Sequence, residues 1–396
     1  MKRLFIASLL LLLCLGTGAC TPGWGPSPTL TNAGQFPTPI GGARPTTTVF
    51  PSPEATPRRT PQLSPTNTYV LTPPTEPAPF TPGVTPPAIK PTREREFRDC
   101  SRVSTALIPL TDMSAADTYH GEEGGLYAGG VNEPSPSHWQ KAEQASAEII
   151  PRDAAGNPSP NGMIGLIAIG MSNAKVEFDS FMGLSRGFTT PSVVLVNGAQ
   201  PGMVASLWAE PDPRGDPWEF LGRAVARAGL SPVQVQVAWL KEANGSPRPG
   251  RDDFPVYAQD LRDDMAVMVM RARELYPNLR ILFLSSRIYG GYSLIPLSPE
   301  PFAYEGAFSV RWLIQDQVQG GGATGVTYDN APLLLWGPYL WADGSSPRSD
   351  GLTWSCDDFM GDGVHPARSG RQKVAQMLFD FFTTNALTKA WFGASR

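Results

Sequence analysis

The chain has 396 residues, a formal net charge of −4 and only 17% charged residues, with 42 prolines and 40 glycines. Nothing in that balance supplies the basic surface that a nucleic-acid partner requires, so none is expected. Low charge with abundant Gly and Pro fits a loop-rich extracellular protein.

The first element is Met1-Lys2-Arg3 followed by an apolar run from Leu4 to Leu15. Two positive charges ahead of a short apolar core describe a signal peptide over residues 1–20, too short for a stable membrane span. The run ends Gly16-Thr17-Gly18-Ala19-Cys20. Small residues directly before a cysteine resemble a bacterial lipoprotein lipobox, although Thr17 stands where an aliphatic residue is usual. The resemblance implies that Cys20 becomes a lipidated N-terminus, anchoring the protein to the outer face of a bacterial membrane. The alternative is a plain secretory signal cleaved nearby. Of the four cysteines, Cys14 would leave with the signal and Cys20 would carry lipid. Cys100 and Cys356 are then expected to pair in an oxidising compartment, closing a loop of roughly 250 residues. Two buried free thiols are the alternative.

Residues 21–92 are dominated by Pro, Thr, Ser and Gly, with steps such as Pro51-Ser52-Pro53 and Thr72-Pro73-Pro74-Thr75. Proline fixes φ and removes donors, and too little apolar surface is present to offset chain entropy. The segment reads as a disordered, partly polyproline-II stalk. At about 3.1 Å per residue it spans up to roughly 200 Å, and its hydroxyls permit O-glycosylation.

Residues 93–396 can form one large domain. Apolar runs at Met163–Ile169, Val193–Val196, Val233–Leu240, Leu279–Leu284 and Leu333–Trp336 predict strands. Helical periodicity lies between several of them. Tyr257, Leu261, Met265, Met268 and Val269 share one face; Val374, Met377, Leu378, Phe381 and Phe382 share another. Alternating strands and helices predict a parallel sheet covered on both faces, with ligands beyond the carboxyl ends of the strands. Ser172, Gly202, Asn244 and His365 all fall just past strand candidates or in late loops.

Ser172 follows the apolar run ending at Gly170, and a helix is predicted over 173–182. A hydroxyl at such a turn stands above the sheet, where helix N–H groups stabilise developing negative charge. The competing role for Ser172 is helix capping. His365 is one of three histidines, three residues after Asp362 and directly before Pro366. A carboxylate that accepts the Nδ1 proton leaves Nε2 to take a proton from a serine hydroxyl. Asp357 and Asp358 are rival carboxylates further from the imidazole.

These residues resemble the SGNH (GDSL-like) hydrolase family over about Met163 to Phe382. Four blocks stand in the family's order: Gly170-Met171-Ser172-Asn173, Asn197-Gly198-Ala199-Gln200-Pro201-Gly202, Trp239-Leu240-Lys241-Glu242-Ala243-Asn244, and Asp362-Gly363-Val364-His365-Pro366. The resemblance implies Ser172 as nucleophile, Asp362 and His365 as acid and base, and an oxyanion hole from Ser172, Gly202 and Asn244. It implies an α/β fold, a three-layer α/β/α sandwich on a mainly parallel, roughly five-stranded sheet of SGNH or flavodoxin-like type. Met171 replaces the Asp usual before the serine, and Glu242-Ala243-Asn244-Gly245 replaces the usual Gly-x-Asn-Asp. An α/β-hydrolase has the same chain order of triad members, but an acid three residues from the histidine and a serine after the first strand favour the SGNH layout.

The expected activity is that of a serine esterase acting on an acyl ester, an acetylated carbohydrate being one substrate, with no cofactor and no metal. An acyltransferase using the same triad and a carbohydrate-binding protein that has lost catalysis are the alternatives. The loop Gly124-Gly125-Leu126-Tyr127 to Gly129-Gly130-Val131-Asn132, ahead of His138, reads as a surface crossover or a cleft wall. Trp336, Tyr339 and Trp341 read as packing residues or as sugar-stacking platforms.

Overall fold

The computed structural model describes residues 97–212 and 215–393. The signal peptide, the Cys20 lipidation site and the stalk at 21–92 lie outside the described residues. Among the described residues no helix is long and apolar enough to cross a membrane.

A short hairpin, β1 (Thr118–Tyr119) and β2 (Glu122–Glu123), precedes helix α1 (Pro136–Ala147). Then follow β3 (Ile164–Gly170), α2 (Ser172–Leu184), β4 (Val193–Asn197), α3 (Ala205–Ala209) and α4 (Pro217–Arg227). Next come β5 (Val235–Lys241), α5 (Val256–Leu275), β6 (Ile281–Ser285) and α6 (Phe302–Val318). The order ends with β7 (Leu333–Trp336), α7 (Arg368–Thr384) and α8 (Lys389–Phe392).

Strands β3 to β7 form one sheet in the order β4-β3-β5-β6-β7, every neighbouring pair parallel. Central parallel strands are covered on both faces, so they read as unbroken apolar runs rather than as alternation. All seven residues of β3 and all seven of β5 are buried, whereas edge strand β4 is only partly so. This is the three-layer α/β/α sandwich expected from the sequence. Strand β5 starts two residues later than its apolar run, because Pro232 opens a 3₁₀ turn over Pro232–Gln234.

Helices α2 and α7 lie side by side over one face. Their aromatic rings meet the sheet there: Phe178 stacks on Trp239 at 5.8 Å, and Phe381 and Phe382 both edge onto Phe283. Helices α5 and α6 pack on each other and cover the opposite face, as right-handed crossovers require when the strand order reverses beside β3. The helical faces read from periodicity are the buried ones: Tyr257, Leu261, Met265, Met268 and Val269 on α5, and Val374, Leu378 and Phe382 on α7.

The Gly-rich loop before α1 covers the β7 edge. Trp336 donates its backbone N–H to the Tyr127 hydroxyl and its indole N–H to Leu126 O. His138 sits in the same cover, its ring bonded to Tyr328 Oη and Leu334 O at 2.8 Å each. A covered edge offers no template for another strand.

Cys100 and Cys356 form a disulfide, with their Cα atoms 5.4 Å apart. The same strap is held by Phe97 N–H to Gly361 O at 2.7 Å, and by the Arg98 guanidinium donating to Cys356 O and Phe359 O. It therefore grips the loop that leads into Asp362 and His365.

Candidate active site

Ser172 is the first residue of α2. Gly170 makes the approach possible: a Cβ there would come within 2.5 Å of Lys241 O and 2.6 Å of Ala174 Cβ. Met171, not Ser172, occupies the helix N-cap, and no side-chain cap bond is made. The hydroxyl is thus not spent on capping. Its Oγ lies 2.8 Å from His365 Nε2.

His365 comes from the loop between β7 and α7. Its Nδ1 lies 2.6 Å from Asp362 Oδ2, while Asp362 Oδ1 accepts the backbone N–H groups of Val364 and His365 at 2.9 and 3.0 Å. The carboxylate therefore fixes both the loop and the ring. Burial pushes the Asp362 carboxyl up, but the imidazole bond and the two backbone donors outweigh it and hold it down at about 2. Gly363 is required between them. Its φ is +69°, and a Cβ would stand 2.7 Å from Tyr292 O. Of the rival carboxylates, Asp358 accepts from Ser355 and Lys373 instead.

The second and third sequence blocks converge on the same place. Gly198 N–H donates to Ala168 O and Gln200 N–H to Gly170 O, which docks the loop carrying Gly202 onto the end of β3. Gly202 takes φ +77°. Asn244 follows β5. Its Oδ1 accepts from Ser206 N–H at 3.0 Å and its Nδ2 donates to Asp264 Oδ2 at 2.6 Å. Asp264 uses one amide hydrogen and fixes the plane of the other. Ser172, Gly202, Asn244 and His365 line one cavity of about 280 Å³, walled mainly by carbon. A second, polar groove of about 460 Å³ adjoins it across Asn244 and Gly245.

Several buried charged groups at this site escape sequence reading. Lys241 and Glu177, neither exposed to solvent, pair at 2.6 Å and tie the end of β5 to α2. Burial drives the Lys241 ammonium down to about 8, with the Glu177 carboxylate pulling it back up. Burial raises the Glu177 carboxyl, against the pull of Lys241. Arg287, just past β6, lines the cavity at 3% exposure, and Glu242 beside it is 2% exposed. Burial raises the Glu242 carboxyl well above the usual range, which favours its protonated form. The polar triple Ser285-Ser286-Arg287 ending an apolar run was the only sequence signal for this wall.

The proposed sugar platforms are not at the site surface. Trp336, Tyr339 and Trp341 are all buried, at 5%, 4% and 0% exposure. They pack because Trp341 donates to Glu300 Oε1 and Tyr339 stacks edge-on against Trp336. Among the described residues no three His, Cys, Asp or Glu side chains cluster as a metal site.

No protein-family profile matches this chain, and no curated protein does. Solved structures do. An acetyl-xylooligosaccharide esterase from Geobacillus Stearmophilus aligns at 14% identity and TM-score 0.34, over 59% of this chain and 97% of that one. A protein described as a GDSL-like lipase from Parabacteroides merdae aligns at 13% and 0.32, over 59% and 97%. A carbohydrate esterase family 2 enzyme with a carbohydrate-binding domain, from Corynascus thermopiles, aligns at 14% and 0.31, over 56% and 65%. The chain is thus similar, at low identity, to GDSL-like lipases and carbohydrate esterases, while its architecture is identified by its own sheet order.

Proposed function

We propose that this protein is a serine esterase. Ser172 Oγ attacks the acyl carbonyl while His365 Nε2 takes its proton. The imidazolium then returns the proton to the leaving alcohol, and water repeats the cycle to release the acid. Asp362 holds the ring in the tautomer that leaves Nε2 free and balances its charge. The N–H groups of Ser172 and Gly202 and the spare amide hydrogen of Asn244 receive the oxyanion, each donor contributing roughly 3 kcal/mol to lowering the barrier.

The observation that carries this reading is the unbroken chain Ser172 Oγ–His365 Nε2 at 2.8 Å and His365 Nδ1–Asp362 Oδ2 at 2.6 Å, at the wall of an apolar cavity. The adjoining polar groove suits a hydroxyl-rich alcohol portion, so an acylated carbohydrate is the substrate class we infer. Lipid anchoring through Cys20 on the outer face of a bacterial membrane completes the proposal.

The test is labelling of the full chain with a fluorophosphonate, beside turnover of a short-chain chromogenic ester. We expect both in the wild type and neither in Ser172→Ala at unchanged thermal stability. Equal labelling of the two proteins would overturn the assignment.

A further inference from the structure

Arg287 is a buried cation to which no carboxylate is hydrogen-bonded. It is 3% exposed, its Nε and Nη2 have no hydrogen-bond partner, and its Nη1 reaches only the Met171 thioether, at 3.7 Å. Thioether sulfur is a weak acceptor, and an unpaired charge in a protein interior is expensive. The nearby carboxylates Glu177, Glu300 and Glu242 favour its charge through space but give it no hydrogen bond. Glu177 gives both oxygens to Lys241, and Glu300 accepts from Gly290, Tyr304 and Trp341. Glu242 keeps an oxygen unpartnered yet makes no bond to the guanidinium. A group left unsatisfied in this way at a cavity wall calls for a partner that the chain itself does not supply.

We propose that Arg287 recognises a carboxylate on the acyl group of the substrate, so that the ester cleaved is a half-ester of a dicarboxylic acid. This rests on the esterase reading and specifies its substrate. The cavity otherwise offers carbon from Met171, Val204, Leu297 and Val364, which suits a short methylene spacer. It is larger than an acetyl group fills. In the same wall the Arg287 guanidinium fork matches a carboxylate with two parallel N–H···O bonds. Met171, unbranched and flexible, is the movable cover: the carboxylate takes the place of its sulfur against the guanidinium. The charge belongs to the acyl side because the second groove carries four carboxylates, Asp252, Asp260, Asp263 and Asp264, against two guanidiniums, Arg248 and Arg251, both beside Asp252, and so stays net negative toward an anionic alcohol portion.

The experiment compares 4-nitrophenyl hemisuccinate with 4-nitrophenyl butyrate, which differ by carboxylate against methyl. The wild-type full chain should favour the hemisuccinate in kcat/KM by about tenfold or more. Arg287→Met should remove that preference. Met171→Asp, which supplies an internal carboxylate and no cavity, should remove it too. A ratio unchanged in both variants overturns the proposal. An Arg287-dependent preference for an acetylated uronate over an acetylated neutral hexose, without one for the hemisuccinate, overturns the acyl placement. Calorimetry of succinate binding to Ser172→Ala separates the two readings. Binding lost on adding Arg287→Met, with no ester turned over by the wild type, keeps the anion site and rejects the esterase. Turnover without any such binding or preference keeps the esterase and rejects the anion site.

Discussion

Asn173 donates its side-chain amide to Val364 O at 3.0 Å, and each of the two residues is the immediate neighbour of a proposed triad member. Ser172 and His365 are therefore docked through the residues beside them, not only through their own contact.

That contact predicts a positioning role for Asn173. Asn173→Leu should lower kcat by about tenfold to a hundredfold, the scale of an ångström-sized misplacement. KM should change little. Recovery in Asn173→Gln, if the longer amide reaches Val364, is expected to be partial. A Leu variant with wild-type kcat would leave the bond a packing detail.

Asp362 makes stability depend on acid. Its folded value of about 2 lies below the usual carboxylate value of about 3.9, so its contribution is complete above roughly pH 4 and is lost as pH falls through about 2. Thermal unfolding of wild type and Asp362→Asn should differ at neutral pH and converge toward about pH 2. The same substitution should cut kcat by about ten-thousandfold, since the wrong imidazole tautomer is then favoured.

Lys241 and Glu177 should behave as a unit. Lys241→Met alone strands a buried carboxylate and is expected to cost about 3–5 kcal/mol in denaturant unfolding. The double variant Lys241→Met, Glu177→Leu removes both charges and should recover most of that loss. Additive losses in the pair would show that the two sites act separately.

Breaking the Cys100–Cys356 bond should cost stability on a scale set by its 256-residue separation, about 5 kcal/mol in the chain-entropy account. Cys100→Ser should also loosen the loop into His365. Hydrogen exchange at Gly361 to Val364 reads that directly, and exchange equal to wild type there would confine the bond's role to the unfolded chain.

The sheet was legible because its strands are covered on both faces, and such strands betray themselves as apolar runs. Their ends were less so, since burial continues past the last paired residue; Pro232 shifts the start of β5 in a way hydrophobicity does not report. Ser172, Asp362 and His365 could be singled out because strand ends and a three-residue spacing are local facts. That no carboxylate hydrogen-bonds Arg287 was not readable, because such a lack is a property of the packed interior. The aromatic trio Trp336, Tyr339 and Trp341, at the end of β7 and in the loop beyond it, misled in one of its two readings: aromatics beside a cleft look the same in sequence whether their rings face solvent or core.

The strap at Phe97–Cys100 is fastened to the loop that carries Asp362 and His365. Reduction of the Cys100–Cys356 link would leave the strap held to that loop by noncovalent contacts alone, so a bond that plays no part in the proposed chemistry couples the Asp362–His365 geometry to the redox state of its surroundings.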